Sequence, residues 1–119
     1  MSSPAHHRML YRAVFWGMCL GIFVLAMLPK NSSSIAFPYA DKIVHAMAFM
    51  GLGFIGGVAY PARILVLAFF LVLLGAAIEV AQGFTPDRSP ELFDFFADVV
   101  GIALGFITYC LSERSFLRK

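Results

Sequence analysis

The sequence predicts an all-α membrane protein: a compact bundle of four transmembrane helices with both termini in the cytoplasm. Three observations lead there. Of the 119 residues, 61% are hydrophobic and 13% charged, with a mean hydropathy of +0.84, where a soluble domain carries about a quarter charged residues. Mostly apolar stretches of roughly 20 residues, the length that crosses about 30 Å of hydrocarbon, occur four times. The breaks between them hold prolines, serines and charges, which mark turns and loops.

Taken in order, Arg8 and Arg12 precede an uncharged run over 13–28 that Pro29 and Lys30 close, which places the first span over about 11–28. This run exceeds the roughly 7 to 15 apolar residues of a signal-peptide core, and the small-x-small triplet Ser34-Ile35-Ala36 lies well beyond its end. A retained span is therefore expected. Met18 before Cys19 speaks against a lipoprotein signal. Positions 31–38 hold three serines and Pro38 and form a surface loop. The second span covers 42–60 and stops at Pro61. A tight Pro61-Ala62-Arg63 turn leads into the third span, 64–84, so these two make a helical hairpin. Pro86 and Pro90 stiffen the connection 85–91 by fixing φ, and the fourth span, 92–111, precedes a polar tail at 112–119. The chain reads as one domain, 1–119, with no extramembrane domain.

Lys and Arg near the helix ends set orientation. Arg8, Arg12, Arg63, Arg114, Arg118 and Lys119 fall on one side, and Lys30, Lys42 and Arg88 on the other, which puts the termini inside and predicts a multi-pass protein of the inner (plasma) membrane. A net charge of +2 leaves no electrostatic footprint for nucleic acid. Cys19 and Cys110 lie in apolar spans at different depths and are expected as unbridged core residues. Met47 and Met50 are expected in the core, Trp16, Tyr11 and Tyr39 at the interfaces, and His6 and His7 in solvent.

The ionisable residues are gathered at one end. Asp41, Lys42 and His45 open the second span, Glu79 and Gln82 close the third, Arg88 follows in the loop, and Asp94 and Asp98 open the fourth. Alternating helix direction brings all of them to the outer side. At about 1.5 Å per residue, Glu79 lies about 7 Å and Asp98 about 9 Å inside its span. A short carboxylate at that depth must face protein or trapped water, and a charge in a membrane span is a functional candidate by default. Asp41 and His45, Glu79 and Gln82, and Asp94 and Asp98 are spaced three or four apart, so each pair shares a helix face. Gly101 and Gly105 continue the stripe of Asp98, Gly75 lies one turn from Glu79, and Gly53 with Gly57 and Gly17 with Gly21 repeat the small-xxx-small spacing by which membrane helices approach closely. The face bearing Gly17 and Gly21 is a candidate surface for a homo-oligomer.

These residues resemble the VanZ-like family of small membrane proteins. The resemblance rests on D-K-x-x-H at Asp41, Lys42 and His45, on E-x-x-Q-x-F-x-P-x-R at Glu79, Gln82, Phe84, Pro86 and Arg88, and on D-x-x-x-[ND]-x-x-G-x-x-x-G at Asp94, Asp98, Gly101 and Gly105. It runs from Asp41 to Gly105. Family members often carry Asn where Asp98 stands. The resemblance implies a polytopic membrane protein of the cell envelope and, through the founding member, a link to teicoplanin resistance. It assigns no reaction, catalytic residue or cofactor, so whether the chain is an enzyme stays open.

Three readings of the cluster follow. It is a polar lock in which Lys42 and Arg88 neutralise Asp41, Asp94 and Asp98 while His45 and Gln82 satisfy the rest. Or it is a ligand-binding pocket, made by Asp41, Lys42, His45, Glu79, Gln82, Arg88, Asp94 and Asp98, for the headgroup of a membrane lipid or lipid-linked cell-wall precursor; Arg88 would grip phosphate there. Or it is a metal-dependent membrane enzyme, for which Asp41, His45, Glu79, Asp94 and Asp98 offer oxygen and imidazole ligands, without a compact ligand motif and with Lys42 and Arg88 opposing the ion.

Overall fold

The computed structural model describes residues 4–28, 40–84 and 92–117, and of Asp41 the backbone alone. Four helices account for nearly all of them: α1 Pro4–Met27, α2 Ala40–Ala59, α3 Ile64–Gln82 and α4 Leu92–Leu117. All four are long and apolar enough to cross a membrane. The 20 residues of α2 rise about 30 Å, which matches the thickness of bilayer hydrocarbon.

Two helices extend past their expected limits. α1 begins at Pro4 instead of near 11, and α4 runs on through 112–117, the expected polar tail. Helical hydrogen bonding does not stop where an apolar run stops, and neither 5–12 nor 112–117 contains Gly or Pro to interrupt it. Pro4 is tolerated because a first-turn N–H has no intrahelical acceptor. Arg114 in the last turn of α4 and Asp94 in its first both suit the helix dipole.

The α2–α3 hairpin follows from Pro61. The residue before a proline is pushed out of the helical region, and Tyr60 sits at φ −136°, ψ 64°. Pro61–Arg63 then form one 3₁₀ turn, closed by the Arg63 N–H donating to the Tyr60 carbonyl at 3.0 Å. At the far end α3 tightens rather than flips. Gly83 stays helical at φ −64°, and its N–H is shared between the carbonyls of Glu79 and Val80.

The spans alternate up and down, which makes α2 and α4 parallel, and these two form the largest helix–helix contact of the molecule. The reason is one stripe of α4. A Cβ on Gly101 would run into the carbonyl oxygen of Ala46, and one on Gly105 into that of Met50. In return, a Cβ on Gly53 would stand 3.0 Å from the Ile102 oxygen, and one on Gly57 2.6 Å from the ring of Tyr109. The two backbones are thus in contact, as small-residue motifs permit. α1 packs on the other side of α2 through Phe15 and Cys19, which join Phe49, Leu52, Leu67, Leu71 and Ile78 in the core.

Outside this core the surface is apolar. Leu65 and Phe84 are 85% and 87% exposed, a pattern that belongs to a face bathed in lipid. Met47 is also exposed and Met50 partly so, against the expectation of a core position. Cys110 is exposed and only Cys19 buried; both are free thiols. Gly17 and Gly21 have nothing within 4 Å of a would-be Cβ, so this pair is no packing motif within the chain.

The two kinds of glycine separate experimentally. Gly101→Ala, which drives a methyl group into backbone, should lower stability by about 1–3 kcal/mol in thermal unfolding of detergent-solubilised protein. Gly17→Ala should leave it unchanged or raise it by up to about 1 kcal/mol.

Candidate functional site

The stripe of α4 that carries Gly101 and Gly105 continues, toward the start of the helix, as Asp98 and Asp94, and both carboxylates meet α2. Asp98 is fully buried and its Oδ1 lies 2.8 Å from Nδ1 of His45. One turn nearer the helix start, Asp94 Oδ1 lies 3.4 Å from Nζ of Lys42. The rungs thus run in register: Lys42 with Asp94, His45 with Asp98, then Ala46 against Gly101 and Met50 against Gly105. Residues spaced three and four apart on two parallel helices fall on facing stripes, so close packing at the glycines carries the polar groups into contact above them.

The third helix brings Glu79, which is 8% exposed. One ligand atom from each of His45, Glu79 and Asp98 lies within 4.8 Å of the other two. α3 can come this near because Gly75 faces Asp98, and a Cβ there would stand 3.0 Å from Asp98 Oδ2. That second oxygen is buried and accepts no hydrogen bond among the described residues. The site therefore has two layers. An ion pair, with side chains 24% and 10% exposed for Lys42 and Asp94, lies nearer the helix ends, and a half-buried imidazole with two buried carboxylates lies one turn deeper.

Five of the eight expected site residues, Lys42, His45, Glu79, Asp94 and Asp98, are brought together in this way. Gln82 is not. It is buried, and its Nε2 donates to the carbonyl of Ala26 at 3.1 Å, which ties the end of α3 to the end of α1. Arg88 and the side chain of Asp41 lie outside the described residues. Two surface depressions, one along Pro61–Val66 and one between Met47, Phe54 and Thr108, lie away from the cluster.

The opposite end of the bundle holds a clamp that residue spacing did not reveal. Arg12 Nε donates to the carbonyl of Ala59 at 3.1 Å, satisfying one of the acceptors that a helix C-terminus leaves open. Its guanidinium also lies 4.5 Å from the centroid of the Tyr60 ring, a cation–π geometry. Trp16 Nε1 donates to Tyr60 Oη at 2.9 Å, and Trp16 meets Phe15 and Phe70 edge-on. Arg12, expected as an orientation signal alone, thus also fastens α1 to the α2–α3 hairpin.

If His45 and Asp98 hold α2 against α4, their substitutions must not add. A double-mutant cycle with His45→Phe and Asp98→Leu should return a coupling of about 1–2 kcal/mol. Additive losses would show that the contact contributes nothing to stability.

A family model described as VanZ/LLP1 matches residues 3–113, a stretch that includes all but the first and last few residues of the chain. No curated protein and no solved structure matches.

Proposed function

Since the chain belongs to the VanZ/LLP1 family, and its four helices make it a multi-pass membrane protein, we propose that it works in the cell envelope, in the plasma membrane with its termini inside, by binding the anionic headgroup of a lipid or lipid-linked cell-wall precursor. Altered exposure of that precursor to glycopeptide antibiotics is the consequence at the level of the cell. The observation that carries this reading is the stacking of the Lys42–Asp94 pair over half-buried His45 and buried Glu79 and Asp98. Charged groups held at membrane depth cost at least a few kcal/mol and are kept where they meet a substrate, an ion or one another. Lys42 is the partly exposed cation of that arrangement. Its Nζ lies 3.4 Å from Asp94 Oδ1, and an ammonium with three donors can share itself between a carboxylate and an incoming phosphate. Arg88, four residues before α4 begins in the sequence, supplies a second anion-binding group in this reading.

A second reading is favoured by a different observation. Both polar bridges join the same two helices, α2 and α4, which suits a lock that fixes their register. It gives no reason for α3 to bring a further carboxylate, Glu79, to the same point, since register between α2 and α4 needs no third helix.

The two readings diverge at Lys42. Under the headgroup reading, Lys42→Gln should leave the amount of folded protein unchanged. It should also reduce retention of phosphatidylglycerol or a polyprenyl pyrophosphate, measured by native mass spectrometry against phosphatidylcholine. Removal of one surface charge is worth about 1 kcal/mol, about fivefold in occupancy. Equal retention of all three lipids by parent and variant, with reduced abundance of the variant, would leave the lock.

A further inference from the structure

The contact of His45 with Asp98 fixes a base as well as bridging two helices. An ionised carboxylate can only accept, so Asp98 Oδ1, 2.8 Å from His45 Nδ1, holds the ring proton on that nitrogen and leaves the lone pair on Nε2. This second nitrogen makes no hydrogen bond among the described residues, and it is not one of the polar atoms sealed from solvent. The side chain of His45 keeps 14% of its surface, that of Asp98 none. A carboxylate buried behind an imidazole whose other nitrogen water can reach is an arrangement that fixes a histidine for proton transfer.

Lys42 stands three residues before His45 on α2, so a phosphate at its ammonium lies about one helical turn, about 5 Å, from the ring. We propose that the chain hydrolyses lipid-linked pyrophosphates, with His45 as the catalytic base and Asp98 as the residue that positions it. The proposal rests on the headgroup reading and adds a reaction to it. Nε2 takes a proton from water as the water oxygen bonds to the outer phosphorus. The bridging P–O bond breaks, and its electron pair leaves on the inner phosphate. Inorganic phosphate and a lipid monophosphate result, and His45 returns its proton to solvent. Asp98 stabilises the imidazolium formed on the way. An anhydride suits a site with one such base, because a phosphate departs without being protonated. An alcohol leaving a phosphodiester needs a proton donor on the opposite side.

The purified full chain in detergent, given a polyprenyl pyrophosphate in water enriched in ¹⁸O, tests the proposal. Inorganic phosphate carrying ¹⁸O is the expected product. His45→Gln should slow its release at least about a hundredfold, the usual contribution of a general base, and imidazole in the buffer should restore part of the rate to His45→Ala. Asp98→Asn should lower kcat with KM unchanged, since Asp98 acts through the ring, whereas Lys42→Gln should raise KM about fivefold. A bridge that only holds helices together gives neither the rescue nor this division. Native mass spectrometry of each variant with the same lipid separates lost chemistry from lost fold. Retention of the pyrophosphate by the parent without phosphate release overturns the activity and leaves the headgroup reading standing. Release that His45→Gln and Asp98→Asn leave unchanged also overturns it. A parent that neither retains nor hydrolyses the lipid removes both readings.

Discussion

Helices already in hydrocarbon gain little by burying leucine against leucine, because the lipid they displace is equally apolar. What holds them together is close contact between backbones and polar groups that find partners. In this chain both act along one seam. Gly101 and Gly105 let α4 lie on the Ala46 and Met50 carbonyls of α2, and the same two faces carry His45 to Asp98 and Lys42 toward Asp94. The core around Phe15, Phe49 and Leu71 adds packing to a geometry that the seam has set. α3 joins through a third small residue, since Gly75 is what admits it beside Asp98.

Seam and cluster are therefore one device. Rotating α4 by a single position, about 100°, would turn the glycines and both aspartates off α2 together. This coupling explains why charged groups can be held at depth without a large polar interior. Each rung is a pair or a triad, and the glycines below keep the helices too close for the side chains to swing away. Clamping at the other end by Arg12, Trp16 and Tyr60 holds α1 in place without contributing to the cluster.

Much of this was legible in the sequence, and the failures have a common cause. Four spans, the turn at Pro61 and the shared stripe of Asp94, Asp98, Gly101 and Gly105 follow from hydropathy and helical spacing, which are local. Partners are not local. Gly17 and Gly21 have the same spacing as Gly101 and Gly105 yet face open space, and nothing in the spacing distinguishes them. Gln82 shares a face with Glu79 by position but reaches Ala26, 56 residues away in sequence. Met47 could not be told from a core residue because lipid and protein interior select the same side chains. In a soluble protein an exposed methionine breaks a pattern; in a membrane it makes none.

α2 touches each of the other three helices, supplies Lys42 and His45, and contains four of the chain's ten glycines. Those same residues make it the least apolar of the four spans, while α3 is the most apolar. Partition into the bilayer as the chain is made depends on each segment's own hydrophobicity, so α3 is driven in strongly and α2 only weakly. The Asp98 carboxylate that pairs with His45 arrives more than fifty residues after it. During synthesis α2 must therefore wait, held by α1 and the α3 hairpin, for the helix that completes its polar contacts, and the central element of the folded bundle is the last to become secure in the membrane.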